Sequence, residues 1–179
     1  FAACVDQQAV AGASTSISGV EVSPTALHTL PHNDPLAAQL RDVADPHLGV
    51  DIARAQGIAG STVRIGYQGP DARKAAMVEA IRASCEPAGI TVVDASEQGQ
   101  TLADVTRLTT GQWGEEVYHE GSIDAVLMAV DPMAEYGAAA ARSTELAYLR
   151  AREEELWREV PSIPLAAQPR QFVIDRTVG

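Results

Sequence analysis

Apolar and polar residues alternate between positions 62 and 67, where Val63, Ile65 and Tyr67 fall on one face, and this pattern predicts a strand. After a turn, apolar residues recur at three- and four-residue spacing, which predicts a helix from 71 that Gly89 ends; its inward positions are Met77, Ile81, Ser84 and Cys85. A short apolar run at 90–93 predicts a second strand. Residues 62–94 are therefore expected to form a right-handed strand–helix–strand unit with parallel strands.

The first sixty residues contain weaker signals. Residues 1–11 resemble the end of a helix with apolar residues on one stripe, and residues 12–33 are rich in Gly, Ser, Thr and Pro, which predicts a loop. Asp-Pro pairs at 34–35 and 45–46 predict helix starts, because Asp caps a helix and Pro suits its first position. We expect the second of these helices to run to about residue 55 and to stop near Gly57 or Gly60.

The second half of the chain is predicted to alternate in the same way. A weak helix is expected within 101–112, and the nearly continuous apolar run 123–130 is typical of a strand covered on both faces. A long helix is expected over 138–160, with residues 150–155 in solvent and with Leu146, Leu149, Leu156 and Val160 facing inward. Short strands are expected at 163–165 and 171–174. The order of elements indicates an α/β fold, a mostly parallel sheet flanked by helices.

Composition limits the function classes. The 179 residues are 46% apolar and 21% charged, which suits one globular domain. Acidic residues outnumber basic ones, 24 to 13, and the net charge of −11 makes nucleic acid an unfavourable partner. The chain opens with Phe1 and shows no signal-peptide pattern, so we interpret it as a fragment of a longer protein.

The two cysteines, Cys4 and Cys85, lie 81 positions apart and match neither a zinc site nor a C-x-x-C motif. The residues alone leave two alternatives, a pair of buried free thiols or one long-range disulfide. No cofactor is predicted. The Gly66–Gly69 turn lacks a phosphate-binding fingerprint, and Pro31 interrupts the i, i+4 pair His28 and His32, so we expect both histidines on a loop surface and not in a metal site.

One acidic residue is singled out by its position. Asp131 directly follows the predicted strand 123–130, at the carboxyl end where open α/β sheets place ligands. It is either a helix cap before Pro132 or a carboxylate that meets a cationic group of a ligand. Met128, Trp113 and Tyr136 are candidate walls of the same site, whereas Trp157 is expected to anchor the last helix in the core.

Five segments, taken in order, resemble family 5 extracellular solute-binding proteins, the peptide- and nickel-type receptors of ABC importers, and actinobacterial members in particular. They are FAACVDQQA at 1–9, DIAR at 51–54, TVRIGY at 62–67 with CEPAGI at 85–90, SIDAVL at 122–127 and ELWREVPSIPL at 155–165. The resemblance implies that residues 1–179 form the C-terminal lobe of a two-lobed periplasmic-binding-protein-like receptor, without its N-terminal lobe. It also implies a Cys4–Cys85 disulfide, because similar receptors have cysteines at both places.

The function that this resemblance implies is that of a lipid-anchored protein of the cell envelope that captures a peptide or similar small solute between two lobes. Its partners would be the solute, an ABC permease and the missing lobe, and Asp131 would meet the amino group of a peptide. No catalytic chemistry is expected. The segment 131–142 is short and alanine-rich where the family has a ligand-side signature, which favours a scaffold as the alternative. A small α/β hydrolase is a third hypothesis, but no Ser or Cys has a neighbouring His in a recognisable pattern.

Overall fold

A computed structural model describes residues 1–96, 123–129 and 146–167. The elements within them are strands β1 (Thr62–Gly66), β2 (Thr91–Asp94) and β3 (Ala125–Val126), and helices α1 (Gln7–Ser18), α2 (Arg41–Ala44), α3 (Ile52–Ala55), α4 (Ala72–Cys85) and α5 (Leu146–Glu159). The predicted elements at 101–112, 138–145 and 171–174 lie outside the described residues. The fold is α/β, with a small parallel sheet flanked by helices, so the predicted class is confirmed at that level.

The sheet has the strand order β2-β1-β3, and both pairings are parallel. Thr62 pairs with Thr91 and Ile65 with Asp94, while Gly66 pairs with Val126. Helix α4 connects β1 to β2, and Asp71 begins it by accepting hydrogen bonds from the backbone of Arg73 and Lys74. The prediction of a strand–helix–strand unit with parallel strands is therefore confirmed.

The prediction for 123–130 is wrong in two respects. Only Ala125–Val126 pairs with β1, and burial alternates along the segment instead of covering both faces. Ile123 and Leu127 are buried on one face, whereas Met128 is exposed. Among the described strands β3 pairs with β1 alone, and both of its residues are half-buried: Ala125 packs on the cluster that includes Ile65, and Val126 packs on Ala95 and Ile123.

Helix α1 differs from its prediction at both ends. A 3-10 turn over Ala2–Cys4 comes first, and the helix begins at Gln7 because the Asp6 carboxylate accepts from the backbone N–H of Ala9 at 3.0 Å. It continues to Ser18, seven residues into the predicted loop 12–33, and ends where Gly19 adopts a left-handed φ of 67°. Ser14, the buried residue of this extension, accepts a hydrogen bond from the Arg73 guanidinium of α4 at 3.4 Å, and the loop starts only at Gly19.

A disulfide between Cys4 and Cys85 fastens the start of the chain to the last residue of α4. The Cα atoms are 4.8 Å apart and both side chains are fully buried, so the free-thiol alternative is wrong. The main core surrounds this bond and includes Val5, Val10, Ile65, Val78, Ile81 and Val92.

The predicted helix from 45 to 55 is broken. The Asp-Pro pair starts only a 3-10 turn, Asp45–His47, and Gly49 then has a φ of 128° that an α-helix cannot accommodate. Asp51 begins α3 by accepting from the backbone N–H of Arg54. Near the earlier pair, a 3-10 turn (Ala37–Leu40) leads into α2, close to the predicted start.

Helix α5 forms a second core with the loop before α2. As predicted, Leu149 and Trp157 are buried there, and Leu146 is half-buried against the same cluster. Leu156 is also buried, as predicted. The strand expected at 163–165 is absent from the described residues, where a single antiparallel bridge joins Pro24 to Ala166.

Candidate functional site

The carboxyl ends of the three parallel strands meet at one edge of the sheet. β1 ends at Gly66, β2 ends at Asp94, and Met128 lies two residues beyond the end of β3. Open α/β sheets bind ligands outside this edge. This part of the molecule, with Tyr67, Asp94, Ser96 and Met128, is called the carboxyl edge below.

Hydrogen bonds among Tyr67, Asp94 and Ser96 organise the carboxyl edge. The Tyr67 hydroxyl donates to Asp94 Oδ2 at 2.9 Å, and the backbone N–H of Ser96 donates to Asp94 Oδ1 at 2.9 Å. The Ser96 hydroxyl accepts from the Tyr67 backbone N–H at 2.8 Å and donates to the Tyr67 carbonyl at 3.0 Å. Tyr67 is 6% exposed and Asp94 4% exposed, so a carboxylate is fixed in a nearly dry position.

The side chains at the carboxyl edge are suited to binding a ligand and not to nucleophilic attack on one. A carboxylate accepts hydrogen bonds and attracts cations, and its two oxygens are held here by a hydroxyl and an amide. The Ser96 hydroxyl is engaged with the Tyr67 backbone as donor and acceptor, which does not activate it as a nucleophile. At the N-terminus of α4, the backbone N–H groups of Arg73 and Lys74 donate to the Asp71 side chain.

Of the predicted ligand residues, the described part of the chain includes one. Met128 stands at the carboxyl edge and is 43% exposed, while Asp131, Trp113 and Tyr136 lie outside the described residues. Sequence reasoning missed Tyr67, which it placed on one face of a strand with Val63 and Ile65, and Asp94, which directly follows the apolar run 90–93. A polar residue at the end of a buried strand was the available signal for Asp94.

A second polar cluster lies between α5 and the loop before α2. Glu153 is 0% exposed, and its carboxylate is hydrogen-bonded to the backbone and the side chain of both His28 and Thr29. His28 donates to it from its backbone at 2.9 Å, and its Nδ1 lies 2.7 Å from Oε1. Thr29 donates from its backbone at 3.1 Å and from its hydroxyl at 2.9 Å.

Two expectations are corrected by this cluster. Glu153 was expected in solvent within 150–155, and His28 on a loop surface, and both are buried. Glu153 is four residues after Leu149 and four before Trp157, so it falls on the helix face that packs on the loop. Burial favours the neutral acid, but hydrogen bonds from His28 and Thr29 outweigh it and hold the pKa of Glu153 below its usual value.

Two imidazole rings flank Trp157. The His28 ring meets its edge at a centroid distance of 4.9 Å, and the His47 ring stacks on it at 4.0 Å with an interplanar angle of 3°. The indole N–H donates to the Ala26 carbonyl at 2.8 Å. Partial burial, and then the charges of Arg54 and His28, lower the pKa of His47. The sequence expectation that Trp157 anchors the core is confirmed.

An open groove of about 440 Å³ lies beside this stack. Besides His47 and Trp157 it is lined by an exposed ion pair, Asp42 with Arg150, and by Glu154 and Arg158. Hydrogen bonds from Arg150 lower the pKa of Asp42. Exposed charges of both signs are typical of a solvated helix face, so the carboxyl edge is the better candidate for a ligand site.

In residues 1–96, 123–129 and 146–167 no group of three His, Cys, Asp or Glu side chains is placed to hold a metal ion. None of the helices described there is long and apolar enough to cross a bilayer.

Comparison with known proteins places this chain beside mycobacterial lipoproteins. Uncharacterized lipoprotein Rv2585c of Mycobacterium tuberculosis is 29% identical over 208 residues, which cover 97% of this chain and 35% of the relative. Uncharacterized lipoprotein Mb2616c of Mycobacterium bovis is 34% identical over 131 residues, covering 71% of this chain and 20% of the relative. The chain thus spans about a third or less of the length of these relatives. No protein-family model and no solved structure matches it.

These findings correct the resemblance to family 5 solute-binding proteins, which is wrong: the similar proteins are uncharacterized lipoproteins, and no family model supports that assignment. The first of the quoted segments is also not one helix, since a 3-10 turn precedes the Asp6 cap. The expected location is confirmed by the relatives, since the names of both describe lipoproteins, which are lipid-anchored proteins of the cell envelope.

Proposed function

We propose that this chain is a binding lobe of a larger cell-envelope lipoprotein and that it captures a small solute, such as a peptide, at the carboxyl edge. The observation that supports this most directly is the buried Tyr67–Asp94 pair at the edge of a parallel sheet where α/β proteins bind ligands. Met128, exposed at the same edge, offers an apolar contact beside the carboxylate.

The chemistry of the pair favours a cationic group on the solute. A carboxylate that is held by two donors and shielded from water recognises an ammonium group better than an exposed one does, because the lower dielectric strengthens the attraction. The amino terminus of a peptide supplies that group. The net charge of −11 acts in the same direction by attracting cations to the surface.

The second part of the proposal concerns the rest of the protein. The matched region is 35% of one relative and 20% of another, which leaves room for a second lobe. In a two-lobed arrangement of the periplasmic-binding-protein type, closure around the solute would complete the site. If the protein serves import, it would deliver the captured solute to an ABC permease. A single lobe supplies half of the contacts, so this chain alone is expected to bind weakly.

A scaffold that binds no solute is the second candidate. The observation that favours it is the satisfaction of the edge by its own groups: among the described residues, no buried side-chain nitrogen or oxygen lacks a hydrogen-bond partner. A site that is complete without a ligand can be purely structural, so the experiment must measure binding directly.

The test is an NMR titration of the isotope-labelled chain with trialanine, which has a free amino group, and with its N-acetylated form. Capture at the carboxyl edge predicts concentration-dependent shifts of the amides of Tyr67, Ser96 and Met128 with trialanine and much smaller shifts with the acetylated peptide. Asp94→Asn removes the charge at nearly constant volume and should abolish these shifts. Asp42→Asn, which removes an exposed carboxylate in the groove beside α5, is the matched control and should preserve them.

Three results would contradict the proposal: no shifts up to the solubility limit of trialanine, equal shifts with both peptides, or shifts that survive in Asp94→Asn. The first result would favour the scaffold. Because Asp94 is buried, circular dichroism must show that its variant is folded, and the comparison of the two peptides on the wild-type chain does not depend on any variant.

A further inference from the structure

The two larger clusters of buried apolar residues in the described part of the chain share no member. The main core includes residues of α1, α4 and the sheet, whereas the second core includes residues of α5 and of the segment 26–48. The described chain passes from one core to the other three times, over 19–26, 48–52 and 157–163. Two packed units that are joined by short passages of chain can rotate against each other at those passages.

The first passage is paired with the chain that follows the third. Pro24 and Ala166 form an antiparallel bridge, and beside it the Thr25 backbone N–H donates to the Leu165 carbonyl at 3.2 Å. These four residues are called the hinge pairing below. Because the pairing keeps the two connections side by side, it gives the second core a common line about which to turn.

Val160 lies where α5 ends and the third passage begins. Its φ is 49°, in the left-handed region that a β-branched residue rarely adopts. Its backbone N–H donates to the Leu156 carbonyl at 2.7 Å, so the strained conformation closes the last turn of α5. Pro161 follows, and a residue before proline favours extended backbone. A change of Val160 to the extended region would relieve the strain and turn α5 relative to the chain after it.

The second passage is held by a buried side chain of the main core. Gln7, on α1, is 1% exposed; its Nε2 donates to the His47 carbonyl at 3.1 Å, and its Oε1 accepts from the Gly49 backbone N–H at 3.3 Å. The His47 ring stacks in turn on Trp157 of α5. Gly49 has a φ of 128°, which places a flexible residue within this passage. Gln7 therefore connects α1 to the second core through two hydrogen bonds.

We propose that the second core is a unit that rotates on the main core about the hinge pairing, with Val160 as the pivot and Gln7 as the latch. The structure shows the latched form, in which the hydrogen bonds of Gln7 hold the second passage while Val160 is strained. Rotation breaks these bonds and relaxes Val160, so the two effects oppose each other and keep the two forms close in free energy. This motion lies within the chain and does not require a solute at the carboxyl edge.

The test measures N–H residual dipolar couplings in the intact chain under weak alignment. The couplings of α1 and α4 give the alignment tensor of the main core, and those of α5 give the tensor of the second core. Rotation averages the couplings of α5, so the ratio of the α5 tensor to the main-core tensor reports the motion. Gln7→Leu removes the latch at similar volume and should lower this ratio. Gln8→Leu, at the next and exposed position of the same helix, is the matched control and should leave it unchanged.

The pivot is tested in the unlatched chain. Glycine adopts a φ of 49° without steric cost, so Val160→Gly in the Gln7→Leu background should raise the ratio again. An unchanged ratio in Gln7→Leu contradicts the proposal, and so does a ratio that Val160→Gly does not raise. Circular dichroism must show that the variants are folded. If Gln7→Leu does not fold, Gln7→Asn takes its place, because its shorter side chain keeps the amide but cannot span both acceptors.

Discussion

The Cys4–Cys85 disulfide gives the most direct quantitative prediction for the stability of this fold. It closes a loop of 81 residues, and the chain-entropy treatment of such a loop gives about 4.5 kcal/mol of stabilisation through the restricted unfolded state. Domains of this size are stable by about 5–15 kcal/mol in total. Loss of the bond should therefore remove a large fraction of the free energy of unfolding, and part of the population should unfold at 37 °C.

Urea unfolding, followed by circular dichroism, tests this value in the oxidised wild-type chain, the reduced wild-type chain and Cys4→Ala/Cys85→Ala. The reduced chain and the double variant should both lose about 3–5 kcal/mol. Reductant should have no effect on the double variant, which serves as the control. A loss below about 1 kcal/mol in the reduced chain would refute the reasoning, because it would mean that the two ends of this loop stay together without the bond.

Three further predictions concern the two cores and the sheet. Glu153→Ala leaves the buried donors of His28 and Thr29 without their acceptor, and urea unfolding should show a loss of about 3–5 kcal/mol; a loss under about 1 kcal/mol would contradict the burial of this network. The pKa of His47 is lowered from 6.5 in the folded state, so as pH falls the unfolded state binds the proton first. The stability that this group contributes is complete above about pH 6.5 and is lost as pH falls through the lowered pKa. His47→Phe should therefore reduce the slope of the free energy of unfolding against pH in this range, and an unchanged slope would refute the prediction. Gly66→Ala places a Cβ 2.6 Å from Ile123 Cδ1, and both branches of the Ile123 side chain are also close. Urea unfolding should show that the free energy of unfolding falls by about 1–3 kcal/mol. A neutral effect would contradict the close approach of β1 to the segment before β3.

Sequence reasoning succeeded where the signal is local. The alternation over 62–67 and the three- and four-residue spacing up to Cys85 are properties of single elements, and Asp71 caps its own helix. These patterns were enough to predict β1, α4 and β2 with parallel pairing. The end of α1 was misplaced because Gly, Ser and Thr are intrinsically poor in helices, whereas packing against α4 stabilises them there.

The features that were missed depend on contacts between distant residues. Glu153 stands in an acidic run that is typical of a solvated face, and only its contact with His28, 125 positions away, explains its burial. Tyr67 and Asp94 come together because β1 and β2 are neighbours, which the sequence predicted without showing which polar groups would meet at the end of the strands. The resemblance to a receptor family was wrong because it rested on short segments, none of which is specific to that family by itself.

Solute capture at the carboxyl edge is the central claim, and the methyl signal of Met128 tests it most directly. In a chain labelled at its methionine methyl groups, trialanine should shift the Met128 signal in a saturable way, while the signal of Met77, buried in the main core, should stay in place as an internal control. The account predicts that Asp94→Asn removes the Met128 shift. A Met128 signal that does not respond to trialanine, or that moves together with Met77, would contradict it.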